Sequence, residues 1–447
     1  MKVCVFGAGY VGVVSGAGLS HVGHDVTIVD TSAPRIDSLR AAKSPFLEPG
    51  LDDLLREGLS TGRLHVTMDP QEALAGSDVS LIAVGTPSRD GEIDLTAVLG
   101  VARTIGGWLP DAGRWHTVVV KSTVVPGTTD GPVRTALQDR SHRKVGIDFG
   151  LGINPEFLRE GSAVCDFLNP DRIVLGGSDA RSTAAIAELY ASFSCPKLEV
   201  APVNAELIKY ASNALLSTLV SFSNEWAAVC EGLPGADVQT LMRGIHLDRR
   251  LALGENGEPI RPGILAYLAA GPGFGGSCLP KDLAAARSSA GKNGVATPLL
   301  DAVARVNEER PAQVIAMLKR DLGGLDGRTV AVLGLAFKPG TDDTRDSPAL
   351  PLLRLLESER ARTRVWDPMA PAGATPDRRC SSPEELLSGA DAAILVTAWP
   401  EIARWPWHDL LPRMKSRTIV DARNALRSIQ WPDGVRYIPI GRGPEFS

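Results

Sequence analysis

The first 30 residues place the strongest constraint on the fold of this chain, because an apolar run, a glycine motif and an acidic residue follow one another in a fixed order. Lys2–Phe6 is a short apolar run, and the motif GAGYVG at 7–12 follows it directly. Small residues with helical character continue to about His21, and a second apolar run, Asp25–Val29, ends at Asp30. This order of strand, glycine turn, helix and strand predicts the first βαβ unit of a Rossmann-like domain.

The three glycines of the motif have distinct roles in such a unit. Gly7 makes the tight turn, Gly9 lets the backbone approach a pyrophosphate, and Gly12 lets the helix pack closely on the strand. Asp30 stands at the position, about 20 residues on, where a carboxylate accepts hydrogen bonds from a ribose 2′-hydroxyl. A carboxylate there repels a 2′-phosphate, so the pattern favours NAD over NADP. The motif alone leaves two alternatives open, FAD and a glycine turn without a ligand.

Strands and helices alternate in the first and last parts of the chain, whereas the centre is helical. Strand-like runs recur at 78–84, 117–120, 150–153, 328–335 and 363–366. In the segment 204–232, apolar residues recur at helical spacing, namely Leu207, Ala211, Leu215, Leu219, Phe222 and Trp226. We predict an α/β fold with two Rossmann-like doubly wound parallel-sheet domains, 1–200 and 321–447. A central helical domain, 201–320, joins them through one long helix, which could also pair with a copy of itself.

An internal echo bears on the relation between the two ends of the chain. The segments 72–84 and 385–396 both contain a helical run, a glycine, an aspartate and an apolar strand. Two related Rossmann-like halves would explain this echo. The alternative is that α/β units resemble one another in general.

The composition excludes several classes of partner. The 447 residues carry 47 Lys and Arg against 52 Asp and Glu, and the formal charge of -5 gives no support to nucleic-acid or membrane binding. The apolar runs are far shorter than the ~20 residues that cross a bilayer, and the N-terminus lacks the features of a signal peptide. The six cysteines lack C-x-x-C spacing, which indicates neither a zinc site nor a disulfide framework. We therefore expect a cytoplasmic protein without a metal.

One cysteine lies in a different setting from the others. In GGSCLPKD at 275–282, Cys278 follows two glycines and precedes Pro280, which suits the first turn of a helix. A helix N-terminus and the neighbouring Lys281 would both favour the nucleophilic thiolate. The remaining cysteines are interpreted as small packing residues: Cys4, Cys165, Cys195, Cys230 and Cys380.

A nucleophilic cysteine combined with a dinucleotide indicates a particular chemistry. A hydride acceptor alone oxidises an alcohol to a carbonyl. A thiolate can add to the aldehyde and form a thiohemiacetal, which loses a second hydride to give a thioester. Because hydrolysis of the thioester gives the acid, the sequence predicts a four-electron oxidation of a primary alcohol.

Two polar residues on the long helix suit this chemistry. Lys209 and Asn213 are four residues apart and therefore share a helix face. Both side chains can donate hydrogen bonds to an oxyanion. The alternative is a solvated lysine and a surface asparagine.

A further candidate follows the strand at 150–153. We interpret NPEFLRE at 154–160 as a helix start, with Asn154 as the N-cap and Pro155 at the first helical position. Glu156 then lies at the carboxyl end of a strand and could activate the water that hydrolyses the thioester. The alternative is that Glu156 and Glu160 only complement the helix dipole.

Taken in order, the motifs resemble those of the UDP-glucose/GDP-mannose 6-dehydrogenase family over nearly the whole chain. They are GAGYVG, VGTP at 84–87, KSTVVPGT at 121–128, NPEFLREG at 154–161, LIKYASNALLS at 207–217, GFGGSCLPKD at 273–282, GLAFKPGTDDTRDSP at 334–348 and DARNAL at 421–426. The resemblance implies oxidation of a nucleotide sugar at C6 to a uronic acid, with two NAD reduced per turnover. It also implies a homodimer formed through the central helical domain.

The resemblance implies a catalytic role for a small set of residues. Cys278 matches the nucleophile, and Lys209 and Asn213 match the pair that polarises the carbonyl oxygen. Asp282 matches an acid/base group linked through water. Glu156 matches a group that assists thioester hydrolysis, and Thr123 matches a group that helps to hold the water.

The resemblance also implies two sets of binding residues. Those that match cofactor contacts are Gly7, Gly9, Tyr10, Val11, Gly12, Asp30, Arg35, Thr86, Thr123, Glu160, Lys281 and Arg345. Those that match nucleotide-sugar contacts are Glu156, Phe157, Leu158, Arg159, Glu160, Lys209, Asn213, Tyr267, Leu268, Ala269, Ala270, Gly271, Gly275, Phe337, Lys338 and Arg423. Lys338 and Arg423 suit a diphosphate in electrostatic terms.

One segment departs from the family pattern. Many members carry an Asp-x-Arg-Ile-Gly stretch before GFGG, whose arginine reaches the partner's active site. Here Arg249, Arg250 and Arg261 are rival candidates. Because this segment bears on sugar choice, UDP-glucose is the first hypothesis, and GDP-mannose and a UDP-N-acetylhexosamine are alternatives. Two other classes stay open: a two-electron 3-hydroxyacid-type dehydrogenase, which needs no Cys278, and a non-catalytic nucleotide-sugar binder.

Overall fold

The strands expected from the apolar runs are present in the computed structural model, which describes residues 1–89, 91–109, 114–252, 254, 258 and 260–444. The chain divides into two units, Met1–Ser212 and Asn213–Ser447, each with its own main sheet. The α/β fold class is confirmed. The division into three domains inferred from the sequence stays a prediction.

An eight-stranded sheet forms the centre of the first unit. The strands of this unit are β1 Lys2–Phe6, β2 Asp25–Val29, β3 Leu64–Thr67, β4 Val79–Ile82, β5 Ser88–Arg89, β6 Glu92–Ile93, β7 Thr117–Val120, β8 Gly150–Ile153, β9 Ile173–Gly177 and β10 Lys197–Val200. The sheet order is β10-β9-β8-β7-β4-β1-β2-β3, and β5 and β6 form a separate antiparallel pair. Neighbouring strands are parallel except β8 and β9, so β9 and β10 run opposite to the rest.

Helices cover both faces of this sheet, which explains why its central strands are mainly apolar. Val3 and Val5 of β1 point into one hydrophobic cluster, whereas Cys4 and Phe6 point into the other, as the alternation of side chains along a strand requires. The helices are α1 Tyr10–His21, α2 Ala33–Arg40, α3 Leu51–Ser60, α4 Pro70–Leu74, α5 Thr96–Trp108, the π-helical turn Thr129–Val133, α6 Arg134–Ser141, α7 Ala163–Leu168 and α8 Ala180–Leu189.

The expected long helix forms as α9, Pro202–Glu231, and its residues belong to both units. At about 1.5 Å per residue it is roughly 45 Å long. Several of the apolar residues that predicted this helix are exposed, including Leu215, Phe222 and Trp226. The buried face carries polar side chains instead, among them Lys209 and Asn213. The spacing thus predicted the helix correctly, and the solvated alternative for these two residues is wrong.

The second unit contains a five-stranded sheet that is parallel throughout. Its strands are β11 Thr329–Leu333, β12 Arg362–Trp366, β13 Ala392–Leu395, β14 Thr418–Asp421 and β15 Arg436–Pro439, in the order β12-β11-β13-β14-β15. Its α-helices after α9 are α10 Val238–His246, α11 Arg249–Ala252, α12 Leu279–Lys292, α13 Pro298–Leu322, α14 Ala349–Ser358, α15 Pro383–Leu387, α16 Pro400–Ala403 and α17 Trp407–Leu410. Short 3₁₀ turns occur at Gly263–Tyr267, Ala372–Ala374, Pro376–Arg378 and Leu411–Arg413.

The echoing segments occupy equivalent positions in the two sheets. In the first unit, α4 precedes β4, and β4 pairs with β1. In the second, α15 precedes β13, and β13 pairs with β11. In each case the strand after the echo lies beside the first strand of its sheet, which is the position expected for two Rossmann-like halves.

Within the part of the chain that the structure describes, no helix combines the length and the apolar character needed to cross a membrane. The same residues contain no cluster of three or more His, Cys, Asp or Glu side chains that could hold a metal ion.

Candidate active site

The glycine turn between β1 and α1 has the geometry that the motif predicts. Gly7 has a φ of +113°, and an added Cβ at Gly12 would lie 1.8 Å from the Gly7 carbonyl oxygen. Packing therefore requires both glycines. At Gly9, in contrast, no atom of the described residues other than Gly9 and its two chain neighbours lies within 4 Å of an added Cβ. This opening at the N-terminus of α1 suits a pyrophosphate, because unpaired backbone N–H groups and the helix dipole both favour an anion there.

Asp30 lies beside this turn, at the end of β2. Its Oδ2 accepts a hydrogen bond from the Ala8 amide at 2.6 Å, and its Oδ1 accepts one from the Ser32 amide at 2.8 Å. The Arg35 guanidinium lies 3.8 Å from Oδ2. The carboxylate is therefore fixed against the glycine turn and stays partly exposed. This is the position that a ribose-binding carboxylate needs.

Two predicted residues meet at the carboxyl ends of the neighbouring strands β4 and β7. The Thr86 hydroxyl donates to the Thr123 carbonyl oxygen at 2.9 Å. The Ser122 hydroxyl donates to the Val84 carbonyl oxygen at 2.7 Å. These contacts join the VGTP and KSTVVPGT segments on the side of the sheet where ligands bind in open α/β folds.

Glu156 and Lys209 form a buried ion pair in the first unit. The Lys209 ammonium lies 2.8 Å from Glu156 Oε1, and the Leu158 amide donates to Oε2 at 2.6 Å. Burial alone would raise the pKa of Glu156, but Lys209, the Leu158 amide and the more distant Lys121 together hold that pKa below its ordinary value. Glu156 is thus an ionised carboxylate beside an ammonium group, in a place from which water is largely excluded.

The interpretation of 154–160 as a helix start is wrong, because the segment from Pro155 onward is a loop and α7 begins only at Ala163. Asn154 cannot act as an N-cap because its side chain is engaged elsewhere. Its Oδ1 accepts hydrogen bonds from the Lys121 ammonium at 2.7 Å and from the Tyr190 hydroxyl at 2.6 Å. Its Nδ2 donates to the Val174 carbonyl oxygen at 2.8 Å.

Lys121 is a buried cation near the Glu156–Lys209 ion pair. Burial lowers its pKa to about 8, while Glu156 opposes this shift and Lys209 adds to it. Phe157 lies nearby, with the Arg172 guanidinium 3.9 Å and the Lys209 ammonium 5.5 Å from its ring centre. Lys121, Glu156, Phe157 and Arg172 all line a cavity of about 150 Å³. The first unit therefore gathers several charged groups around the NPEFLREG loop.

The sequence interpretation missed Glu48, a buried carboxylate that ties this loop to the glycine motif. Glu48 accepts hydrogen bonds from the Tyr10 hydroxyl, from the Gly161 amide at 2.7 Å and from the Ala163 amide at 2.8 Å. Phe46 packs on the Tyr10 ring with the centroids 4.7 Å apart. The only available signal was an acidic residue within the mainly apolar stretch at 45–51.

In the second unit, Cys278 stands at the N-cap position of α12, and Pro280 lies in the first turn, as predicted. The thiol is exposed, and its Sγ lies 3.6 Å from the Ser277 hydroxyl. The Lys281 ammonium forms an ion pair with Asp282 Oδ1 at 2.6 Å. The helix N-terminus and an accessible thiol are therefore both present at this position.

Asn213 and Asp282 also meet in the second unit. The Asn213 amide donates to Asp282 Oδ2 at 2.6 Å, and both side chains are buried. With Lys281 on Oδ1, the Asp282 carboxylate is held from both sides. Of the six predicted catalytic residues, Thr123, Glu156 and Lys209 belong to the first unit, and the other three belong to the second.

Several predicted nucleotide-sugar contacts converge in the second unit. Arg423 donates to the Val396 carbonyl oxygen at 2.8 Å, and its Nη1 lies 2.9 Å from the position of a Cβ added to Gly271. Phe337 approaches the glycine loop, because a Cβ added to Gly276 would lie 2.8 Å from its ring. Burial lowers the pKa of Arg423 to about 10, which still leaves a cation at neutral pH.

Three other predicted residues have close side-chain neighbours within their own segments. The Lys338 ammonium lies 5.4 Å from the centre of the Phe337 ring. Arg345 forms an ion pair with Asp343, at 2.7 Å. Arg250, one candidate for the arginine that reaches a partner subunit, is exposed and pairs with Asp248.

The chain matches three models of one family in order along its length. These are the NAD binding domain over residues 1–194, the central domain over 203–309 and the UDP binding domain over 331–428 of the UDP-glucose/GDP-mannose dehydrogenase family. The match to an NAD binding domain confirms the expected cofactor, and the UDP binding domain supports a nucleotide-sugar substrate.

Individual relatives agree with these models. The chain is 39% identical over 455 residues to a UDP-glucose 6-dehydrogenase of Rhizobium meliloti (strain 1021), covering 99% of this chain and 100% of that one. It is 40% identical over 368 residues to a GDP-mannose 6-dehydrogenase of Pseudomonas syringae pv. syringae, covering 82% and 81%. A UDP-glucose dehydrogenase from the archaeon Pyrobaculum islandicum has a similar structure, with a TM-score of 0.88 and 39% identity over 98% of this chain and 97% of that one. The expected enzyme class is thus confirmed, and this chain belongs to the UDP-glucose/GDP-mannose dehydrogenase family.

Proposed function

We propose that this enzyme oxidises UDP-glucose at C6 to UDP-glucuronate in two successive hydride transfers. The observation that carries the proposal is the exposed Cys278 thiol at the N-terminus of α12, one turn from an Asp282 carboxylate that Asn213 and Lys281 hold in place. A dehydrogenase that stops at the aldehyde has no use for such a thiol. An enzyme that continues to the acid needs a nucleophile that can form a thioester.

In this proposal, the glycine turn and Asp30 would hold NAD, which would supply the hydride acceptor for both oxidations at C6. Lys209 and Asn213 donate hydrogen bonds to the C6 oxygen as negative charge develops on it. Asp282, acting through water, takes the hydroxyl proton in the first oxidation. The Cys278 thiolate then bonds to the aldehyde carbon while Asp282 returns the proton through water to the aldehyde oxygen. The resulting thiohemiacetal becomes a thioester when C6 loses its second hydride and the hydroxyl proton passes back to Asp282.

Hydrolysis completes the reaction and regenerates the thiol. Glu156 takes a proton from a water molecule, whose oxygen attacks the thioester carbon while the carbon–sulfur bond breaks. The acid leaves, and Cys278 returns to its starting state. The lowered pKa of Glu156 keeps it in the ionised form that this step requires at neutral pH.

UDP-glucose is the first candidate substrate because relatives of that name align with this chain over almost its full length. GDP-mannose is the second candidate, because a GDP-mannose 6-dehydrogenase is equally similar over about four fifths of the chain. The match to a UDP binding domain over 331–428 favours the uridine nucleotide.

The test is NADH formation with UDP-glucose, UDP-GlcNAc, UDP-ManNAc and GDP-mannose side by side. We expect two NADH per UDP-glucose consumed, and loss of acid formation in Cys278→Ser with cofactor binding retained. Cys165→Ser removes another exposed thiol and serves as the matched control. One NADH per substrate, or near-normal acid formation in Cys278→Ser, would contradict the thioester route.

We further propose a homodimer formed through α9, whose exposed apolar residues support this assembly. We also propose that the enzyme works in the cytoplasm. The mechanism needs a reduced Cys278, and a reducing compartment keeps such a thiol free. All six cysteines lie within the described residues, and none of them forms a disulfide.

A further inference from the structure

The loop 271–274 leads directly into the segment that carries Cys278, and side chains from two helices hold its backbone. The Gly271 amide donates to Asn224 Oδ1 on α9 at 2.7 Å. The Gly271 carbonyl oxygen accepts from Arg310 Nε on α13 at 3.1 Å. Both polar groups of this one residue are therefore fixed by long-range contacts within the second unit.

The far end of the loop is held in the same way by Asn307, which lies one turn before Arg310 on α13. Asn307 Oδ1 accepts from the Phe274 amide at 2.7 Å, and Nδ2 donates to the Phe274 carbonyl oxygen at 3.1 Å. This pair of bonds fixes the orientation of the backbone as well as its position. Gly273, with a φ of +115°, lies so close that an added Cβ would be 2.8 Å from Asn307 Oδ1.

Arg310 is fully buried, and its guanidinium is held by several partners. Nη2 pairs with Glu231 at 2.9 Å, and Nη1 donates to Gln313 at 2.7 Å. A buried ion pair is seldom more stabilising than well-packed apolar residues of similar volume. An apolar residue, however, could not hold the Gly271 carbonyl oxygen. The side chain therefore gives this site a defined orientation rather than simple stability.

The groups next to this loop are those assigned to the nucleotide sugar. Arg423 lies against Gly271, and Phe337 lies against Gly276. The Gly276 amide donates to the Arg345 carbonyl oxygen at 3.1 Å. A displacement of 271–274 would therefore shift the surroundings of these groups together with the segment that bears the thiol.

We propose that Asn307 and Arg310 are positioning residues, which set the loop 271–274 and through it both the nucleotide-sugar contacts and Cys278. The inference rests on the proposed function. It assigns to one face of α13 a role in substrate binding, although neither side chain is among the residues expected to touch substrate.

The test compares Asn307→Asp and Arg310→Lys with wild-type enzyme. Asn307→Asp keeps the acceptor for the Phe274 amide but loses the donor to its carbonyl oxygen. Arg310→Lys keeps a cation opposite Glu231 but cannot make the same set of bonds. We expect KM for UDP-glucose to rise about tenfold in each variant, since each loses a buried hydrogen bond, while KM for NAD stays within about twofold. Arg305→Lys, at an exposed position of the same helix, is the matched control and should leave both constants unchanged.

Hydrogen exchange supplies a second measurement. The Gly271 and Phe274 amides should exchange faster in the two variants and not in Arg305→Lys. A parallel rise of KM for both substrates, or an unchanged KM for UDP-glucose with only a lower melting temperature, would reduce both residues to a structural role and overturn the inference. If wild-type enzyme reduces no NAD with any nucleotide sugar, the proposed function itself fails, and that failure is visible before any variant is compared.

Discussion

Glu156 and Lys209 show how two side chains can keep their charges away from water. Each would be costly to bury alone, and removal of either leaves the other uncompensated. Their oppositely charged groups are 2.8 Å apart, and the Leu158 amide binds the second carboxylate oxygen. The pair therefore provides an ionised base and a hydrogen-bond donor side by side, as the proposed hydrolysis requires.

Glu156→Gln should block the last step of the reaction without removing the first. Glutamine keeps the shape and an oxygen for Lys209 but cannot take a proton from water, so kcat should fall by roughly 10²–10⁴. The thioester should accumulate on Cys278, where intact-protein mass spectrometry would detect the added mass. Glu188→Gln, at an exposed position of α8, is the control. Normal turnover with no adduct would contradict the role of Glu156.

Lys121 gives a stability prediction with a defined direction. Its pKa is about 8 in the folded protein and about 10.4 in an unfolded chain. Between these two values the unfolded state holds a proton that the folded state has lost, so stability rises with pH. From pH 8 to 9.5, the free energy of unfolding of the wild type should rise by on the order of 2 kcal/mol relative to Lys121→Met. Urea unfolding at both pH values measures this difference, and parallel curves for the two proteins would refute it.

At the scale of the element, two glycines of the turn between β1 and α1 have different roles, Gly12 in packing and Gly9 in ligand binding. Gly12→Ala puts a methyl group 1.8 Å from the Gly7 carbonyl oxygen, and such overpacking should lower the melting temperature by roughly 5–10 °C. Apart from residue 9 itself and its two chain neighbours, Gly9→Ala places no described protein atom within 4 Å of the new methyl group. It should leave the melting temperature within about 2 °C but raise Kd for NAD about tenfold or more, because the methyl group occupies the place of the pyrophosphate.

Melting curves and NAD titrations of both variants decide between these two effects. If Gly9→Ala binds NAD as tightly as the wild type, the turn does not hold the pyrophosphate. If Gly12→Ala melts at the wild-type temperature, the close packing of α1 on β1 does not contribute to stability.

Elements with sharp local boundaries were predictable from the sequence. The bounds of β1, β2, β7 and β8 agree with the apolar runs, because glycine or polar residues end each run. The position of Cys278 before α12 was predictable for a similar reason, since Pro280 marks a first helical turn.

Features that depend on distant residues were not predictable. Asn154 precedes a proline, which is the local pattern of a helix start, but Lys121 and Tyr190 bind its side chain instead. Glu48 likewise gains its importance only when the fold brings Tyr10 and Gly161 to it. The reversed direction of β9 and β10 depends on the path of the connecting chain, which no local pattern records.

At the scale of the whole molecule, each sheet has an aspartate at the equivalent end of a strand, and the two carboxylates differ in exposure. Asp30 accepts hydrogen bonds from the Ala8 amide of the glycine turn and from the Ser32 amide, and it stays partly exposed. Asp367, at the equivalent end of β12, is buried. Its oxygens accept from five donors, namely the amides of Leu335, Ala336, Met369 and Ala370 and the Trp399 indole. A carboxylate engaged to this extent has no acceptor left for a ribose, so dinucleotide binding is expected in the first unit alone.

The exposed face of α9 is the surface through which we expect the homodimer to form. Leu215, Phe222, Trp226 and Val229 are each between 39% and 51% exposed, and at about 100° per residue they fall within a narrow stripe. Apolar stripes of this kind mark protein interfaces. Light scattering should therefore give the wild type twice the chain mass of 47.3 kDa. Trp226→Glu combined with Phe222→Glu should give the single chain mass, because two charges cannot be buried there without partners. Leu198→Glu, which changes an exposed leucine of β10, should remain dimeric, and a monomeric wild type would refute the proposed assembly.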